Sequence, residues 1–592
     1  MVAILSLSRT IASILALTSL SNSQDAAAAT TSQPSSDPYD RITPDQWNAL
    51  NASLSGRLQT AVPIAQPCFD HFDGDRQLRP NSGACAAVQA NWTNTLYRVQ
   101  QFGAYEQIFD ERLHGRACSL NALEPTDRAA FTDQICSLGS IPPYYVSIRN
   151  AQDVQTVMKF SNQTGLPIIV KNTGHDYAGR SSAPKSIALW TKNLVGQTWH
   201  DDFVPEGCKP NAGAGKAITN QAAYTFADSH NSTVVGAAFQ TVGASGGWML
   251  GGGHGFLTGK HGLGVDSILQ FKVVTPDGIL RTANKCQNTD LFWALRGGGP
   301  AFGVVLESTI QAHPGYNFKV AIVIVNNITV DDQFEVFRTF AHLRPRLARE
   351  GWGGAFIPEY TPGQMAISMI NPTLTDIQAA DTFAPVINQV QSLNNTNGIQ
   401  VAMNGFQPDA SYLFIQSITV PVGLGAFIGS RLLPLKMFES DDGIDKLIPV
   451  LKSGLSRVGP GVWPPLILLM DTPLMTPDTN RETSVTPAWR NSAFQAVYGV
   501  SYQYQTTPAQ EGVLMKTINQ AVQDLRDLTP GSGAYLNEAD ILEPNHAEAF
   551  WGKQNYERLL KIKHKYDPNN MLTGWQYVGF DEKDPLFDRY HL

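Results

Sequence analysis

Two stretches of the 592-residue chain concentrate residue types that could hold a ligand and work on it. The first runs Val170-Lys171-Asn172-Thr173-Gly174-His175-Asp176-Tyr177-Ala178-Gly179-Arg180-Ser181-Ser182. Its histidine leaves an apolar, strand-like run between two glycines that let the backbone come close to a bound molecule. By residue type alone such a histidine is an ordinary loop residue, so its meaning depends on its company. The second stretch supplies that company. From Thr241 to Gly255 the chain carries Gly243, Gly246, Gly247, Gly251, Gly252, Gly253 and Gly255, and continues with Gly259, Gly262 and Gly264. So dense a tract costs conformational entropy unless the backbone must touch something. Successive bare N–H groups form concavities for anions, of which a pyrophosphate is the usual occupant. Trp248, Met249, Leu250, Phe256 and Leu257 punctuate the tract, unlike a solvated glycine loop. Neither a dinucleotide-fold GxGxxG after a strand nor a P-loop signature is present. Hydrolase chemistry lacks a matched Ser/His/Asp spacing, and without CxxC a zinc site or redox dithiol has no support. No metal is expected.

These stretches need elements to position them. Tyr144 to Ile148 reads as a strand, and Ala151 to Thr164 has helical spacing with Val154, Val157, Met158 and Phe160 apolar. Leu166 to Lys171 reads as a second strand, so the succession predicts a βαβ unit. Strand-like segments at Ile268 to Thr275 and Val304 to Ile310 flank the glycine-rich region. Beyond His313 strands are expected at Val320 to Val325, Gly354 to Ile357, Ala366 to Ile370, Leu413 to Val420 and Ser501 to Gln505. Helical runs such as Asp331 to Ala341 and Asp376 to Val390 separate them, which predicts a sheet covered by helices on one face. Tyr502 and Tyr504 alternate along the last strand and so share a face that could close over a pocket.

Lys and Arg number 43 against 51 Asp and Glu, a formal charge of −8 that gives no electrostatic reason to expect a nucleic-acid partner. With 43% hydrophobic and 16% charged residues the chain has the balance of a folded protein, long enough for two or three domains. Arg9, the apolar run Ile11 to Leu20 and the small residues before Gln24 predict a secretory signal peptide over 1–23. That run is about half the length a membrane span needs, and no membrane association is expected. Residues 24 to about 37 read as a flexible terminus. Acceptor sequons at Asn51, Asn91, Asn162, Asn231, Asn327 and Asn394 agree with export. So does the even set Cys68, Cys85, Cys118, Cys136, Cys208 and Cys286, although six cysteines allow 15 connectivities. Pairing of neighbours (68–85, 118–136, 208–286) is the expectation.

Together the two stretches resemble the flavin-binding module of the vanillyl-alcohol-oxidase superfamily, in its berberine-bridge-enzyme-like branch. The likeness continues through Gly264-Val265-Asp266-Ser267, Val273-Val274-Thr275-Pro276-Asp277-Gly278 and Asp290-Leu291-Phe292-Trp293-Ala294-Leu295-Arg296-Gly297-Gly298-Gly299. It resumes with Tyr535-Leu536-Asn537-Glu538-Ala539-Asp540 and Tyr566-Asp567-Pro568-Asn569-Asn570. The Asn-Thr-Gly-His-Asp-Tyr version is most similar to that of secreted fungal members.

The resemblance implies an α+β fold: a two-part PCMH-type FAD-binding domain and a substrate domain whose antiparallel sheet is covered by helices. The expected boundaries are an N-terminal extension over 24–139, the FAD domain over 140–315, the substrate domain over 316–530 and a return to the FAD domain over 531–592. It implies FAD as cofactor, attached through its 8α-methyl to a ring nitrogen of His175. Relatives with a second, cysteinyl bond carry that cysteine just ahead of the glycine tract. Here Phe239 or Gln240 stands near the place, which implies a single link. Asn172, Gly174, Tyr177, Gly179, Arg180, Ser181, Gly243, Gly246, Gly251, Gly252, Gly253, Gly255, Asn537 and Asn570 are the further cofactor-binding candidates. Where relatives commonly place a tyrosine near the flavin, this chain has Glu538, so Glu538 with Tyr535 and Tyr502 are the catalytic candidates. A carboxyl against an apolar flavin face is expected to be poorly solvated and to stay protonated near neutrality. His254 and His261 are weaker candidates for cofactor contact. Three activities follow. The first is an oxidase passing hydride from a small alcohol, or a polyketide- or alkaloid-like molecule, through flavin to O2. The second is a redox-neutral double-bond isomerase with Glu538 as acid, and the third a secreted flavoprotein without catalysis. A monomer is expected.

Overall fold

The computed structural model describes residues 37–73, 79–220, 224–393, 399–405, 422–474 and 482–591. The expected signal peptide, nearly all of the flexible terminus, the Leu413 to Val420 strand and the Asn394 sequon lie outside these residues.

Asn150 caps the helix Ala151–Thr164 by accepting from the Asp153 N–H, and Gly165 ends it at φ 76°, a left-handed turn that suits glycine. Its apolar stripe buries Val154, Val157, Met158 and Phe160 against a four-stranded sheet. The strands run in the order Leu58–Thr60, Tyr144–Ser147, Ile187–Trp190, Ile168–Lys171. The helix joins two parallel strands as a βαβ succession requires, but Ile187–Trp190 lies between them and pairs in parallel with both. All four residues of that central strand are buried, as a strand covered on both faces must be.

A second, antiparallel sheet orders Leu280–Asn284, Ile268–Val274, Val304–Gln311, Ala217–Asn220 and Thr198–His200. Lys563 packs the C-terminal helix Lys553–Tyr566 onto this region; its buried ammonium donates to Ala301 O, Leu572 O and Asp567. The third sheet has seven antiparallel strands: Ile399–Gly405, Lys319–Asn326, Gln364–Asn371, Gly353–Thr361, Leu466–Leu469, Ser492–Tyr502 and Gly425–Pro434. Helices Val330–His342, Asp376–Ser392, Asp441–Val458 and Pro508–Leu528 pack their apolar stripes into the same core as the sheet. The fold is therefore the expected α+β arrangement. One strand differs. Pairing stops at Tyr502 opposite Gly425, and the chain then turns toward the Thr507 cap of the following helix. Arg112 holds that turn through the carbonyls of Tyr504 and Thr506. Tyr502 and Tyr504 thus do not share a strand face.

All six cysteines are paired as neighbours: Cys68–Cys85, Cys118–Cys136 and Cys208–Cys286. The first two staple the segment before Gly139. That segment joins the first sheet through Leu58–Thr60 and meets the third through Trp92 Nε1, which donates to Gly423 O, and Ile108 N, which donates to Leu424 O. It is wedged between the two halves of the molecule.

Candidate functional site: a cleft between two loops and the C-terminal return

Three parts of the chain line one cleft: residues 170–181, residues 237–254 and the turn Tyr535–Glu538, with Pro300, Gly303, Val305 and Tyr577 completing it. The cleft is open to solvent and is walled by both apolar and polar groups. Asn172, Gly174, His175, Tyr177, Arg180, Ser181, Gly243, Gly246, Gly251, Tyr535, Asn537 and Glu538 all reach it. The loops are locked to one another by short polar contacts. Arg180 donates to the carbonyls of Leu536 and Trp575, Asn537 Nδ2 donates to His175 O, and Asp176 accepts from the Ser181 and Ala178 N–H groups.

The glycines divide into two jobs. Gly243 and Gly246 line the cleft, and a Cβ on either would stand 2.4–2.5 Å from the amide of Asn172. Gly247 also lines it, and a Cβ there would meet nothing within 4 Å. Gly251 lines it as well, whereas Gly252, Gly253 and Gly255 support the tract from behind. A Cβ on Gly253 would strike the Trp248 indole, and one on Gly255 would sit 2.0 Å from Gly236 O. Gly252 takes a positive φ of 129° against Val485, and Gly179 accepts from Arg589, where a Cβ has no room. Asn570 lies outside the lining, and its Nδ2 donates to Gly579 O. Of the apolar residues in the tract Trp248 faces the cleft, whereas Met249 and Phe256 pack into the core.

His175 is buried, its Nε2 is 2.6 Å from the Thr241 hydroxyl, and burial lowers its pKa, so the ring is neutral. Phe239 lies parallel to it at 6.5 Å, on the cleft wall. Glu538 lines the same cleft. The carboxyl expected against an apolar flavin face has polar partners in the structure: His254 Nε2 is 3.1 Å from both Glu538 oxygens, and Gln495 Nε2 donates to Oε2 at 2.7 Å. Asp471 Oδ2 lies 3.7 Å from His254 Nδ1, too far for a hydrogen bond but close enough to act through charge. Burial opposes charge on His254, yet Glu538 and Asp471 outweigh it and lift the pKa to about 10. The imidazolium is braced by Tyr535, perpendicular at 5.1 Å, and by Trp489. Tyr535 itself donates to Trp248 O, and burial pushes its pKa up, so it acts as a neutral wall of the cleft. Tyr502 is elsewhere, stacked on Phe427 inside the third sheet. His261 pairs with Tyr316 and does not line the cleft.

Asp471 and Gln495 were not anticipated. Each carried a weak signal in the sequence: an aspartate directly after the apolar Leu466–Met470 run, and a glutamine inside the apolar strand Ser492–Tyr502.

The cleft suits a flavin dinucleotide by its own features. Ser181 Oγ is buried without a partner among the described residues, Gly243, Gly246 and Gly247 bring bare backbone to its wall, and a neutral histidine lines it. A family described as "FAD binding domain" matches residues 142–284, and one described as "Berberine and berberine like" matches 534–575. An FAD-linked oxidoreductase of Aspergillus flavipes, ffsJ, is 34% identical over 582 residues, covering 90% of this chain and 92% of its own. The chain is an FAD-linked oxidoreductase of the berberine-bridge-enzyme-like family. Among solved structures, the oxidoreductase is similar to the VAO-type flavoproteins MtVAO713 and MtVAO615 of Myceliophthora thermophila. The first gives a TM-score of 0.78 at 26% identity, the second 0.77 at 25%, and each comparison covers 91% of this chain and 95% of the other. FAD is therefore its cofactor. Among the described residues no helix is long and apolar enough to cross a membrane.

Proposed function

We propose that the oxidoreductase oxidises a small alcohol, or a polyketide- or alkaloid-like secondary metabolite, with Glu538 taking the proton and O2 as final acceptor. Bound FAD would supply the hydride acceptor, with O2 taking up the electrons as peroxide. The observation carrying this reading is the Glu538–His254 pair, set in the same cleft as His175. Two donors, His254 Nε2 and Gln495 Nε2, point at the Glu538 carboxyl, an arrangement that suits a proton acceptor better than the acid an isomerase needs. His254 holds its own proton tightly and so steadies Glu538 rather than competing for the substrate's hydrogen. Trp248, Phe239, Val242 and Leu250 give the wall an apolar character that favours an uncharged substrate.

His175 is proposed as the one point of covalent attachment, since Phe239 occupies the neighbouring wall with a side chain that cannot form a thioether. Export to an oxidising compartment is proposed from residues 1–23, the three disulfides and the exposed sequons at Asn162, Asn231 and Asn327. The test is turnover of a panel of apolar alcohols with oxygen uptake and peroxide followed together. One peroxide per product is expected. Product formed without oxygen uptake overturns the oxidase and supports the double-bond isomerase.

A further inference from the structure

His175 does not end at Thr241. The Thr241 hydroxyl lies 3.0 Å from the Thr95 hydroxyl, and Thr95 donates to Glu106 Oε1 at 2.8 Å. Each threonine hydroxyl has one hydrogen to give. Thr95 gives its hydrogen to Glu106, so at the Thr95–Thr241 contact Thr241 is the donor. Thr241 then has nothing left to offer the imidazole and must accept from Nε2–H. A carboxylate two threonines away along the hydrogen-bond chain therefore dictates which ring nitrogen of His175 bears the hydrogen.

Glu106 is built to hold that end. It is 2% exposed, its N–H donates to Gly174 O at 3.2 Å, and its own carbonyl accepts from Gly423 N at 3.0 Å. Its Oε1 is 3.9 Å from His175 Nε2, so its charge also bears on the ring directly. Thr95 and Glu106 both come from the segment between the disulfides Cys68–Cys85 and Cys118–Cys136, and that segment thereby reaches the flavin site from outside both main domains.

We infer that Glu106, through Thr95 and Thr241, is a positioning residue for flavin attachment, keeping the hydrogen of His175 on Nε2 and the lone pair on Nδ1. The inference rests on the reading of His175 as the attachment residue. In the overall attachment a C–N bond forms to Nδ1, one hydrogen leaves the 8α-methyl carbon and one leaves the ring, and O2 carries both away as peroxide. The ring's hydrogen is the one on Nε2, and the hydroxyl chain gives it an exit toward Glu106.

The experiment expresses the full chain with FAD, precipitates it with acid and compares flavin in pellet and supernatant, after native absorbance has shown the FAD held before denaturation. Thr241→Val and Glu106→Gln should cut the covalent fraction at a fixed time by at least about tenfold, while the native proteins still hold FAD. Thr241→Ser should restore it. Thr95→Val breaks the middle link without touching the cleft wall, and decides the matter should Thr241→Val fail to fold. Variant pellets that retain as much flavin as wild type overturn the relay alone. Wild-type protein that releases all its flavin overturns the reading of His175, and the relay with it.

Discussion

Glutamine at position 538 is expected to lower kcat by about two to four orders of magnitude while FAD stays bound. Glutamine keeps the shape of the side chain and can still accept from His254 Nε2 and Gln495 Nε2, which hold the carboxyl at 3.1 and 2.7 Å. It cannot take a proton. The loss should therefore appear equally in kcat and kcat/KM, the pattern of an interaction made in the transition state rather than on binding. Steady-state kinetics read this, with the flavin absorbance of the native variant as the control for an intact site. Turnover equal to wild type would remove Glu538 from both the oxidase and the isomerase proposals.

The second large effect is on stability. His254 is lifted from an ordinary 6.5 to about 10 by Glu538 and Asp471, against the opposing effect of its burial. The raised value means that the folded protein binds this proton more tightly than the unfolded chain does. Its contribution is complete below about pH 6.5 and disappears as pH rises toward 10. The shift corresponds to something on the order of a few kcal/mol. His254→Gln leaves the Glu538 and Asp471 carboxyls facing a neutral amide and lacks that pH-dependent contribution. Denaturant midpoints from pH 6 to pH 10 should thus fall more steeply for wild type than for the variant, the gap closing as pH rises. Parallel pH profiles would show that the imidazolium is not held as described.

Much of this site was legible because its chemistry lies in short, contiguous stretches. The Asn172–Ser181 loop and the glycine tract each announce themselves, and both meet the Tyr535–Glu538 turn in one cleft. Helices with clear stripes and polar caps were also legible: Ala151–Thr164 folds with the bounds that its spacing predicts. What the sequence hid is what long-range packing brings together. Asp471 lies just past a strand end and Gln495 mid-strand, and only the order of the seven-stranded sheet sets Leu466–Leu469 beside Ser492–Tyr502 and so brings Asp471 to His254 and Gln495 to Glu538. The partners of Glu538 were hidden for the same reason, since they are 284 and 43 residues away along the chain. The βαβ unit was visible, but the insertion of Ile187–Trp190 between its strands was not, because strand order is not a local property. Glycines mislead in a different way. Gly253 and Gly255 look like anion-binding backbone, yet they are glycine because Trp248 and Gly236 O leave no space for a Cβ.

The account turns on a yellow cofactor tied to one imidazole. Acid-precipitated wild-type protein, digested and mapped by absorbance at flavin wavelengths, addresses it directly. A coloured pellet yielding one flavin-bearing peptide, the one that contains His175, is the predicted result. A colourless pellet with all flavin in the supernatant, or flavin on a peptide lacking His175, would contradict it.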